Sequence, residues 1–95
     1  MQFLTVSRRR EAAGAPGEDL VHAEIRRARE LYSEGHMRQV WHRVDGPGAC
    51  VLWEAENQEH LWKMLESLPF YQAGLSEVTV VALRPYAGFG PEGTS

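Results

Sequence analysis

Residues 36–55 read HMRQVWHRVDGPGACVLWEA. Asp45-Gly46-Pro47-Gly48 separates two runs rich in β-branched and aromatic residues, and such a cluster marks a tight reversal of the chain. The stretch predicts a β-hairpin, with one strand over residues 37–44 and the next over 49–55. The flanks extend the pattern. Upstream, residues 18–34 carry apolar side chains at helical spacing, and Gly35 is placed to end that helix. Downstream, Asn57 can cap a helix running to about residue 67, with Glu59 in its first turn favoured by the helix dipole and Pro69 stopping it. Residues 2–7 are rich in β-formers, residues 11–17 read as a loop, and residues 75–84, with VTVVAL at their centre, read as a last strand.

The resulting order is β-α-β-β-α-β. It predicts an α+β fold of the ferredoxin-like kind, a four-stranded antiparallel sheet with both helices on one face. At 95 residues the chain is expected to be one domain over residues 1–86, followed by a Gly/Pro-rich tail over 87–95. A sheet covered on one face alternates apolar and polar side chains. Here Val78 and Val80 point one way and Val81 and Leu83 the other, while Val51 and Trp53 alternate with Cys50 and Leu52. Both faces are apolar, so something should cover the second one. A second copy of the same sheet is the simplest cover, which predicts a homodimer at least.

The net charge of −3 argues against a general nucleic-acid or membrane binder. Arg8, Arg9 and Arg10 form a run that reads as a solvated loop. The single cysteine, Cys50, allows no internal disulfide and fits a reducing compartment. The N-terminal segment places its apolar residues before its basic ones, the reverse of a secretory signal. No segment is long and apolar enough to span a membrane. These features lead to the expectation of a soluble, cytoplasmic protein.

One carboxylate breaks the pattern of the first helix. With Leu20 at zero and 100° per residue, the apolar stripe runs from about 0° to about 140°. Glu24 falls inside it at about 40°, and Arg27 sits near its edge at about 340°. Glu24 can lie at the wet end of the stripe or pair with an arginine. Alternatively it faces a partly dry cleft between helix and sheet, where burial raises its pKa toward neutrality and suits it to take and return a proton.

Regular alternation on the second strand puts Met37, Gln39, Trp41 and Arg43 on one face and Arg38, Val40, His42 and Val44 on the other. His36 precedes the strand. No histidines share a zinc spacing and Cys50 has no cysteine partner, so no metal site is expected. No phosphate loop or dinucleotide fingerprint is present, and no cofactor is expected. Cys50 lies mid-strand without an activating helix N-terminus.

EGHMRQVWHRV, then ENQEHLWKMLESLPFY and SEVTVVAL, resemble the muconolactone isomerase-like family over roughly residues 20–84. Glu34, Gly35, Arg38, Trp41, Leu61, Leu65, Leu68, Pro69, Glu77 and Val78 carry the resemblance. It implies a dimeric α+β barrel and a cofactor-free isomerase moving a proton on a small unsaturated lactone. Glu24 matches a glutamate on the family's first helix. Two departures stand out: Gln39 replaces a usual histidine, and Ile25 a frequent lysine. They imply a changed pocket and substrate.

The expected site therefore has Glu24 as general base and acid. Arg38 or Arg27 would stabilise an enolate oxygen or bind a carboxylate, and Gln39, Trp41 and His36 would shape the pocket. A barrel-type cyclase or cofactor-free monooxygenase tailoring a polyketide-like aromatic is a second reading. A non-catalytic binding module, with Glu24 as a buried ion-pair partner, is a third.

Overall fold

The computed structural model describes residues 1–89, so the part of the expected tail from residue 90 onward lies outside the described residues. The elements are β1 (Gln2–Arg9), α1 (Glu18–Ser33), β2 (Met37–His42), β3 (Ala49–Glu54), α2 (Gln58–Glu66), α3 (Pro69–Gln72) and β4 (Ser76–Leu83), followed by a short 3₁₀ turn over Ala87–Phe89. The four strands form one antiparallel sheet in the order β2-β3-β1-β4. This is the ferredoxin-like α+β arrangement, with the helices packed on one face.

Local chemistry sets the boundaries. α1 ends on Gly35, whose φ of 83° only glycine adopts readily. Its N–H reaches the Tyr32 carbonyl and that of His36 reaches Leu31, both at 3.0 Å, which satisfies two of the helix's last carbonyls. At the start of α2 the Asn57 side chain accepts the His60 N–H at 2.8 Å, a cap worth about 1 kcal/mol. Pro69 ends one helix and opens another. As the first residue of α3 it lacks only an N–H that would have no partner there.

Two expectations about the strands are corrected. β1 runs on through Arg8 and Arg9, which pair with Glu77 and Ser76 of β4. The arginine run is therefore mostly strand, and alternation sends Arg8 and Arg9 to opposite faces. In β2 the register slips between Met37 and Gln39, with Arg38 as the extra residue of a β-bulge. One inserted residue reverses every later side chain. Met37, Val40 and His42 therefore face the helices, opposite Trp53, Val51 and Ala49, while Gln39 and Trp41 face away.

The core lies between sheet and helices. Phe3, Leu31, Met37, Val51, Trp53, Leu61, Met64 and Leu65 are buried in it. The Trp53 indole N–H donates to the buried Thr5 hydroxyl at 2.8 Å, so neither polar group is left unpaired. At the hairpin, Gly48 has φ 145°, and a Cβ there would collide with the Ser7 carbonyl oxygen. The Ser7 hydroxyl meanwhile accepts the Ala49 N–H at 3.2 Å, which draws β1 against the end of the turn.

Candidate active site

A cavity of about 690 Å³ opens between α1, α3 and the helix-facing side of the sheet. Its floor is sheet: Thr5, Val51, Trp53 and Val78. Its walls include Ala28 of α1 and Leu68 just before α3. The volume lies within the range that encloses drug-sized ligands, and the surroundings are mostly apolar, as such sites usually are.

Glu24 projects into this cavity from α1. Its carboxylate accepts the Phe70 N–H at 2.9 Å, near the start of α3. Burial among apolar side chains pushes the Glu24 pKa above its ordinary 4.5, and the Phe70 hydrogen bond pulls it back more weakly. The result is one oriented carboxyl with a pKa closer to neutrality and a free edge toward an apolar cavity. Such a group can remove a proton from carbon and deliver it elsewhere on the same molecule.

The other residues expected at the site do not gather around Glu24. Arg38 is the bulge residue and lies near enough to Glu54 to help hold that carboxyl below its usual value, after the larger contribution of the Met1 amino group. Gln39 and Trp41 follow it on the face opposite the cavity. Arg27 donates to the Ser67 hydroxyl at 2.9 Å and to Glu30 at 3.4 Å. It lines a second, smaller hollow of about 230 Å³ together with His36 and His60. There His36 and His60 meet edge to face at 5.2 Å, and the His60 Nδ1 accepts the Glu56 N–H. The structure thus brings Glu24 to one cavity, Arg27 and His36 to another, and Arg38, Gln39 and Trp41 to the outer face.

The cavity instead collects His42, Arg9, Arg29, Tyr32 and Tyr71. His42 is turned inward by the bulge, which carries no signature in composition. Arg29 projects at about 180° on α1, just past the apolar stripe, so a wider reading of the helix face would have included it. Among the described residues no group of three or more His, Cys, Asp or Glu side chains converges to hold a metal ion.

The sequence model of the family described as muconolactone delta-isomerase matches residues 1–88. In sequence, no curated protein matches the chain. Among solved structures, a muconolactone isomerase superposes with a TM-score of 0.76 at 20% identity, covering 93% of each chain. The 5-chloro-2-hydroxyhydroquinone dehydrochlorinase of Burkholderia phenoliruptrix, solved with 2,5-dihydroxybenzoquinone, superposes with a TM-score of 0.75 at 20% identity, covering 88% of this chain and 94% of the other. At that identity the two structures establish a shared fold, and their names show that it carries more than one activity.

Proposed function

The chain belongs to the muconolactone delta-isomerase family, and from that premise we propose that it is a cofactor-independent isomerase acting on an unsaturated lactone or related carbonyl compound. The observation that carries this reading is the Glu24 carboxyl, oriented by Phe70 and raised in pKa by burial in the apolar cavity. The carboxylate takes a proton from the carbon beside the substrate carbonyl, leaving an enolate conjugated with the double bond. Glu24, now protonated, returns the proton at the far carbon of that system. One proton moves within one molecule, so atoms and electrons balance without a co-reactant, and Glu24 ends as it began. Turnover of muconolactone by the wild-type chain, lost in Glu24→Gln, tests the proposal; full turnover by the variant contradicts it.

A second reading is a cyclase or cofactor-free monooxygenase acting on a larger, polyketide-like aromatic. The observation favouring it is size: about 690 Å³ is ample for a fused-ring body.

The proposal includes a homodimer formed through the outer face of the sheet. Trp41 and Val81 are 45% and 44% exposed there. Leu4, Val6 and Leu52 complete an apolar surface across all four strands. Arg38, Gln39 and Trp41 then belong to that interface. Light scattering at micromolar concentration is expected to give the mass of two or more chains, and Leu52→Glu, a charge on a central strand of the face, to shift it toward one. A wild-type monomer contradicts the proposal.

A further inference from the structure

We infer that Arg27 is a positioning residue for Glu24. Through Ser67 it holds the joint between α2 and α3, and that joint presents the Phe70 N–H to the Glu24 carboxylate. This role rests on the reading of Glu24 as the group that moves the proton, and it concerns how that group is aimed.

α1 grips the joint at two points. Glu24 and Arg27 stand one turn apart on the helix, so their side chains leave it as neighbours. Glu24 accepts the Phe70 N–H at 2.9 Å, and the Arg27 Nε–H donates to the Ser67 hydroxyl at 2.9 Å. The carboxylate thus meets the start of α3 while the guanidinium meets the residue that closes α2. The Ser67 hydroxyl donates in turn to the Met64 carbonyl at 2.6 Å, and Met64 is buried in the core. A chain of hydrogen bonds therefore ties α1 to the last turn of α2, next to the N–H that Glu24 uses.

The joint needs this hold. Only Ser67 and Leu68 lie between Glu66, the last residue of α2, and Pro69, the first of α3. Leu68 is extended, with φ −78° and ψ 128°, as the following proline favours. α3 itself has four residues and no side-chain cap at its start. A helix that short is not kept in place by its own hydrogen bonds. The direction of the Phe70 N–H is therefore set by how the joint is tied to α1. Arg27 is built for that task rather than for substrate. It lines the hollow with His36 and His60, outside the cavity that Glu24 enters. Its Nη1 donates to Glu30, which leaves Nε for Ser67. Its side chain is 28% exposed, so the Ser67 bond is partly shielded from competing water.

Hydrogen exchange of the Phe70 amide and the NMR titration of the Glu24 carboxyl test this without turnover. Arg27→Met keeps the alkyl stem and removes the donor. Ser67→Ala removes the acceptor and, as the loss of one oxygen atom, gives the reading where Arg27→Met lowers the folded fraction. Each variant is expected to speed exchange at Phe70 about fivefold. Each should also raise the Glu24 midpoint above the wild-type value, because the Phe70 hydrogen bond is what opposes the effect of burial. In turnover, kcat should fall about tenfold with KM within about twofold of wild type, the pattern of a misaimed group. The double variant should match the single ones, since all three remove the same bond. Lys63→Gln, which alters another cation of the hollow, should change none of these readouts. An unchanged Phe70 amide and Glu24 midpoint in Arg27→Met and Ser67→Ala, or effects that simply add in the double variant, would overturn the proposal. If both NMR readouts respond while the wild-type chain turns over no lactone, the positioning of Glu24 by Arg27 stands and the isomerase reading fails.

Discussion

Replacing Glu24 by glutamine is expected to lower kcat about a thousandfold while leaving the fold at least as stable as before. The kinetic effect follows from the role. General acid–base groups typically contribute 10²- to 10⁴-fold, and here one group serves both halves of the transfer. A thousandfold loss corresponds to about 4 kcal/mol of activation free energy. The stability effect follows from linkage. Burial raises the folded-state pKa of Glu24 above its ordinary 4.5. A group raised on folding contributes stability that is fully present below the unfolded value and is lost as pH rises through the folded one. Once ionised, the buried side chain is therefore a net liability. Glutamine removes the charge and keeps an oxygen for the Phe70 N–H. Glu24→Ala behaves differently, because it leaves that N–H without its acceptor and should cost about 1–2 kcal/mol. A purely structural Glu24 gives the opposite pattern, with glutamine destabilising the chain and turnover following only the folded fraction. The acid limb of kcat/KM in the wild-type chain should likewise fall at a pH above 4.5.

Trp53→Ala is expected to be the most damaging single change to the fold. Trp53 is 0% exposed, belongs to the buried core cluster, and forms part of the cavity floor. Truncating a buried tryptophan costs about 3–5 kcal/mol, through lost burial and the void left behind. Its indole N–H also satisfies the buried Thr5 hydroxyl, which the alanine variant leaves unpaired. Domains of this size have total stabilities of about 5–15 kcal/mol, so the midpoint of thermal unfolding should fall by more than about ten degrees. Circular dichroism through the melt measures it. Trp41→Ala is the comparison. That side chain lies on the outer face at 45% exposure, so its loss should barely change the unfolding of a single chain. A cost below about 1 kcal/mol for Trp53→Ala would contradict the core described above.

The hairpin around Asp45–Gly48, the Gly35 stop and the Asn57 cap were legible because each depends on a residue type with its own backbone or capping preference. Glu24 was legible because a charge inside an apolar stripe conflicts with the helical period. The bulge at Arg38 was not. An extra residue in a strand is fixed by pairing with β3, a long-range contact, and it changes the faces of Gln39, Val40, Trp41 and His42 together. Regular alternation would keep Gln39 and Trp41 on the face of Met37 and His42 on the other, and the slip reverses both. The extension of β1 through Arg9 was hidden for a similar reason, since three arginines suggest solvent until a partner strand divides them between faces. α3 has only four residues, too few for a periodic signal, although its N–H group orients the Glu24 carboxylate.

The most direct test of the account is the titration of Glu24 itself. Carboxyl-carbon NMR of the labelled protein, with Glu24→Gln identifying the resonance, should give a midpoint clearly above 4.5, as burial in the cavity requires. A midpoint at or below 4.5 would mean that the Phe70 hydrogen bond or solvent prevails over burial, and it would contradict the assignment of Glu24 as the group that moves the proton.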